Sequence, residues 1–113
     1  MHAEAFGIGA DAVESARLYR RACDGGETRA CTNLGIQYQR GLGMDPDPVE
    51  AARLYRIACD VDHGTGCHYL AINHEQGIGV PADAAAAVPL FAKACRLGIA
   101  DACARASSAE EFQ

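Results

Sequence analysis

Residues Ala16–Cys31, ARLYRRACDGGETRAC, return thirty-six residues later as Ala52–Cys67, ARLYRIACDVDHGTGC, and thirty-six beyond that as Val88–Cys103, VPLFAKACRLGIADAC. The cysteines fall at 23, 59 and 95 and again at 31, 67 and 103, so the register holds without an insertion or deletion. A period of this length marks an array of like units, each too small to bury its own apolar face, and not a single globular core. The 113 residues have room for about three helical pairs and no second fold.

Outside the repeat, composition narrows the function classes. Half the residues are hydrophobic, but aromatics make up 6% and Trp is absent, so alanine carries much of the apolar content. That suits closely packed helices and leaves little bulk to line a deep pocket. The net charge of −5 argues against a general nucleic-acid or anionic-membrane surface. No run of 18 apolar residues is present, so no membrane span is expected. The opening MHAEAFGIGA has no basic stretch followed by a long apolar one, and is read as lacking a signal peptide.

Six cysteines in so short a chain fit an oxidised framework with up to fifteen connectivities. If the units are structurally equivalent, the pairing consistent with the repetition is Cys23–Cys31, Cys59–Cys67 and Cys95–Cys103. Each bridge would close a short loop and contribute roughly 2 to 3 kcal/mol by chain entropy. The alternative is six reduced, buried thiols acting as small hydrophobes. Zinc is disfavoured, because no CxxC occurs.

Within each unit the helix signals recur. Asp11, Asp47 and Asp83 are equivalent and are predicted to cap a first helix; Glu14 and Glu50 complete capping boxes, and Pro48 stands at a first helical position. Ala12, Ala16, Tyr19 and Cys23 then form an apolar stripe at helical spacing. Gly26, Asp62 and Gly98 share the position where that helix should end, and all tolerate a left-handed backbone. A second helix carries Cys31, Leu34, Gly35 and Tyr38, repeated as Cys67, Leu70, Ala71 and His74, with the small residues at 35 and 71 allowing close approach. The short connection makes the pair antiparallel. The third copy replaces this stripe with Cys103, Ala106, Ser107 and Glu110, so the tail SSAEEFQ is read as a polar cap. Pro89, inside the last first helix, predicts a kink or a late start. Gly7-Ile8-Gly9 echoes Gly41-Leu42-Gly43 and Gly77-Ile78-Gly79, so residues 1–10 are read as a helix end and loop, a cap or the remnant of a preceding unit. The units are 11–46, 47–82 and 83–113.

Asp47, Ala51-Ala52-Arg53-Leu54-Tyr55, Ala58-Cys59, Cys67, Leu70 and the loop Gly77-Ile78-Gly79-Val80 leading to Asp83 resemble the Sel1-like repeat family, a tetratricopeptide-like group. More narrowly, they resemble its cysteine-rich branch, typified by the Helicobacter cysteine-rich proteins. The resemblance covers nearly all of residues 7 to 107. It implies an all-α solenoid of about three helix pairs in a right-handed stack, with the two cysteines of each unit bridged. It also implies a periplasmic or secreted location, and an association with weak β-lactam or peptidoglycan-fragment binding or hydrolysis.

The residues lend that last activity nothing. The only lysine, Lys93, has Leu90 three positions before it, so the Ser-x-x-Lys motif is absent. Ser15, Ser107 and Ser108 have no neighbouring base. His63, His68 and His74 cluster in sequence, but His68 and His74 point to different helical faces, so no metal or cofactor is assigned. More informative is a basic ladder on the first helices, where Arg17 aligns with Arg53, Arg20 with Arg56, and Arg21 and Lys93 add charge. Guanidinium forks suit carboxylates, so a partner segment rich in Asp or Glu, or a free C-terminus, is the expected ligand class. Asn33, Gln37, Tyr69 and Asn73 on the second helices could hydrogen-bond a bound backbone. The alternative is a solvated face with Glu14 paired to Arg17 and Glu50 to Arg53. The reading is a non-catalytic protein or peptide interaction module. Its alternatives are a β-lactam-type binder and a disulfide-rich assembly factor without a small ligand.

Overall fold

Six helices follow one another in the computed structural model, which describes the backbone of residues 2–111 and the side chains of residues 11–106. They are α1 (His2–Asp24), α2 (Thr28–Arg40), α3 (Pro48–Asp60), α4 (Gly64–Gln76), α5 (Ala84–Arg96) and α6 (Ala100–Glu111), with no strand among the described residues.

Local chemistry sets most of the boundaries. The Asp47 carboxylate accepts from the Glu50 amide at 3.1 Å and Asp83 from the Ala86 amide at 3.0 Å, each using one of the amides a helix start leaves unpaired. Each first helix ends where one residue turns left-handed, at Gly26 (φ 98°), Asp62 (φ 66°) and Gly98 (φ 100°), the equivalent positions identified from the repeat. Asp11 is different. It is not a cap, because α1 runs unbroken through it. The later copies follow their glycine loops with Pro46 and Pro81, which push the backbone out of the helical region; residues 7–10 contain no proline and are two residues shorter. The side chains of residues 1–10 lie outside the described residues, as do those of the polar tail 107–113. Pro89 delays nothing. The helix still starts from the Asp83 cap and passes through the proline, whose ring lies on the exposed side.

The helices stack as antiparallel hairpins, and every substantial helix–helix contact joins neighbours in sequence. The result is a rod of 52 × 27 × 24 Å with a radius of gyration of 15.2 Å, against about 13 Å for a compact domain of this length. Each hairpin carries its own disulfide near the turn: Cys23–Cys31, Cys59–Cys67 and Cys95–Cys103, with Cα separations of 4.7, 4.5 and 4.5 Å.

Between hairpins the contact is made by an aromatic ring in a gap. A Cβ at position 35 would lie 2.6 Å from the ring of Tyr55, so Gly35 on α2 is the seat into which α3 places that side chain. Tyr55 is fully buried and stacks on Tyr69 at 5.2 Å between ring centroids. One rung later Ala71 and Phe91 hold the equivalent positions, both buried in the core that joins α3 through α6. The loops close the same way. Gly79 packs so tightly on the Pro48 carbonyl that a side chain there would collide with backbone.

Candidate functional site

The arginines of the ladder do not form one uniform strip. Arg17 pairs with Glu14 through two contacts, the shorter 2.5 Å, and Arg53 pairs with Glu50 at 2.8 and 2.5 Å, each three residues apart on its own helix. The Arg53 guanidinium holds Glu50 below the usual carboxylate range. Arg20 is half-buried and reaches forward to the next hairpin. Its Nη2 donates to the Tyr38 hydroxyl at 2.9 Å and to Glu50 at 3.3 Å, with the guanidinium 5.7 Å from the Tyr38 ring centre. Lys93 turns back across the rungs, donating to the Cys59 carbonyl at 2.8 Å and pairing with Asp62 at 3.2 Å. Arg21 lies exposed on α1.

Arg56 stands apart. It occupies on α3 the place Arg20 holds on α1, and its Nη2 faces His74 Nε2 at 3.5 Å where Arg20 meets Tyr38. The carboxylate is missing. Glu50, which completes the Arg20 bridge, has Ala86 as its counterpart one unit on. Arg56 is exposed and has no ion-pair partner among the described residues. It also borders a groove of about 290 Å³, formed by Val49, Ala52 and Arg53 of α3, Leu70 of α4, and Gly79 and Val80 of the following loop. The groove therefore has an apolar floor and a cationic rim.

The amides expected to face a bound backbone divide. Gln37 is buried and donates to the Ala12 and Leu42 carbonyls at 2.9 and 3.2 Å, which ties α2 to α1. Asn73, the equivalent residue, is fully buried and donates to Gln39 at 3.1 Å across the rung boundary. Both are internal fasteners; full burial of Asn73 corrects the expectation that it faces a ligand, whereas Gln37 also lines a groove. Asn33 stays accessible beside Tyr19 in a separate groove of about 430 Å³ between α1 and α2, where Ser15 also lies. Tyr69 is committed to its stack on Tyr55.

Nor do the histidines converge. His63 sits at the N-cap of α4, His68 packs edge-on to Phe91 at 5.9 Å, and His74 meets Arg56. Among the described residues no group of three His, Cys, Asp or Glu is arranged to hold a metal ion. The chain's one lysine is engaged with Cys59 and Asp62, away from Ser15, while Ser107 and Ser108 lie beyond the described side chains.

Sequence reasoning missed four side-chain links that cross between hairpins: Arg20 to Glu50, Lys93 to Cys59, Asn73 to Gln39, and Arg105, which pairs with Glu75 and lies 4.8 Å over the Phe91 ring. Separations of 30 and 34 residues carry no helical-spacing signal, although each is close to one repeat period and was in principle readable from it.

Comparison with known proteins agrees with this architecture. The model of the Sel1 repeat matches residues 1–27, 28–63 and 65–99. Among solved structures, Helicobacter pylori cysteine rich protein B is 35% identical with a TM-score of 0.76, over 79% of this chain and 67% of that one. A protective antigen present in uropathogenic Escherichia coli strains, displaying an SLR fold, is 30% identical with a TM-score of 0.80 over 83% of this chain. A Sel1 repeat protein from Oxalobacter formigenes is 27% identical with a TM-score of 0.77 over 80% of it. The chain spans only 20% and 37% of the length of those last two. No curated protein sequence matches it. No described helix is long and apolar enough to cross a membrane.

Proposed function

Because the chain belongs to the Sel1 repeat family, whose repeats generally mediate protein–protein interaction, we propose that it is a non-catalytic module that binds an acidic segment of a protein partner along α3. The observation that carries this reading is Arg56, an exposed guanidinium beside an apolar groove with no carboxylate of its own. A buried or half-buried guanidinium elsewhere in the rod meets its carboxylate internally, as Arg20 meets Glu50. Among the described residues Arg56 has no such internal carboxylate, which leaves it free to receive one from a partner. Arg53 and Arg21 add positive potential, although Arg53 is partly neutralised by Glu50. The disulfides fit a periplasm or the cell exterior, where such bridges persist.

The test is titration of a labelled peptide rich in Asp and Glu, at low and at physiological ionic strength. Replacing Arg53 and Arg56 together by Ala is expected to weaken binding about tenfold at low salt, corresponding to about 1.4 kcal/mol, and less as the charges are screened. Equal affinity of both proteins at low salt would remove the acidic-partner reading.

A further inference from the structure

We propose that the groove beside Arg56 is a receptor for a free peptide C-terminus, taking the terminal carboxylate on Arg56 and a small apolar side chain on Val49, Ala52, Leu70 and Val80. This rests on the reading of the chain as a binding module and names the chemistry that one site would recognise. The chain supplies its own template. One unit earlier, the guanidinium of Arg20 receives the Glu50 carboxylate at 3.3 Å while donating to the ring substituent of Tyr38 at 2.9 Å. One unit later, Arg56 faces His74 at 3.5 Å in the same relation, and the residue that would supply the carboxylate is Ala86. The receiving half of the bridge is retained and the delivering half is absent.

Stoichiometry argues for a single charge within the groove itself. Arg53 on the same rim already holds Glu50 at 2.8 and 2.5 Å, so Arg56 is the uncommitted guanidinium there and seats one carboxylate. The floor argues for what is attached to that carboxylate. Val49 is 67% exposed at the mouth, and Ala52, Leu70 and Val80 continue the apolar surface inward. A terminal residue of aliphatic type presents its carboxylate and its apolar side chain from one Cα, which matches a cationic rim beside an apolar floor of about 290 Å³.

The experiment follows ¹⁵N–¹H spectra of the oxidised full chain titrated with acetyl-Gly-Gly-Val, as the free acid and as the C-terminal amide. The free acid is expected to shift resonances of Val49, Ala52, Leu70 and Val80, and the amide to bind about tenfold more weakly or not at all, as loss of one charge-assisted contact implies. R56Q should weaken the acid to the level of the amide. A86E restores the internal carboxylate at the third helical position after the Asp83 cap, where Glu50 sits after Asp47, so it should fold normally and block the site by occupying Arg56. Acid and amide binding alike, or A86E binding the acid as well as the unaltered chain does, would overturn the proposal. If the acidic peptide binds in an Arg53- and Arg56-dependent way while the valine acid does not, only the C-terminal reading fails. If neither binds, both fail.

Discussion

His68 shows how single residues in this rod trade hydration for contact. Its ring lies edge-on to Phe91 at 5.9 Å and 6.2 Å from Tyr69, and burial there pushes its pKa below the ordinary value near 6.5, with Asp101 opposing and Arg105 assisting. Burial also lowers His63, with a smaller push from Arg29. A histidine with a depressed folded pKa binds its proton more weakly than in the unfolded chain. It costs nothing above about pH 6.5, and stability falls as pH drops from there towards the folded value. Glu14 and Glu50 act lower on the scale. Arg17 and Arg53 hold their pKa values below 4.5, so their contribution is complete above that pH and is lost as pH falls through the depressed folded values. Thermal unfolding should therefore be flat between about pH 7 and 9, decline as pH falls below about 6.5, and decline further below about pH 4.5. His68→Gln should shrink the first decline and leave the second. A melting temperature constant from pH 7 to 5 would show that these rings are not desolvated.

At the scale of the helix, the close approach of α2 and α3 depends on an absence. Gly35 has no side chain because the Tyr55 ring occupies that space, 2.6 Å from where a Cβ would stand. Gly35→Ala should improve intrinsic helix propensity by about 1 kcal/mol yet destabilise the protein by roughly 1 to 3 kcal/mol, because a fully buried ring must move. Chemical denaturation of the oxidised protein reads the net effect; a stabilised variant would mean that the ring has room to shift. Small residues at 35 and 71 were legible in the sequence as sites of close approach, because they interrupt an apolar stripe at helical spacing. So were the caps at Asp47 and Asp83 and the left-handed exits at Gly26, Asp62 and Gly98, since each depends only on its own few neighbours. The start of α1 was not, because a capping signal at Asp11 yields to continued helix where no proline precedes it. The roles of Arg20, Gln37, Asn73 and Lys93 were hidden for a related reason. Their partners lie on another helix, and whether such a residue faces solvent or a neighbouring rung is decided by stacking, not by its own helix.

The whole molecule is a one-dimensional stack, 52 Å long and about half as wide, in which substantial contacts run only between neighbouring helices. Stability in such an array is close to a sum of unit and interface terms, without the many long-range contacts of a globular core. A hairpin this short buries little by itself, so a bridge of its own, contributing roughly 2 to 3 kcal/mol through the unfolded chain, matters more here than in a larger domain. It also fixes the turn from which Arg53, Arg56 and the groove are presented. The account therefore stands on disulfides confined within hairpins. Cleavage on the N-terminal side of aspartate cuts before Asp24, Asp60, Asp62 and Asp101, separating the two cysteines of every pair. After such cleavage of protein folded under oxidising conditions and kept unreduced, mass spectrometry should find Cys23 linked to Cys31, Cys59 to Cys67 and Cys95 to Cys103. Links joining cysteines of different hairpins, or thiols open to alkylation before reduction, would contradict it.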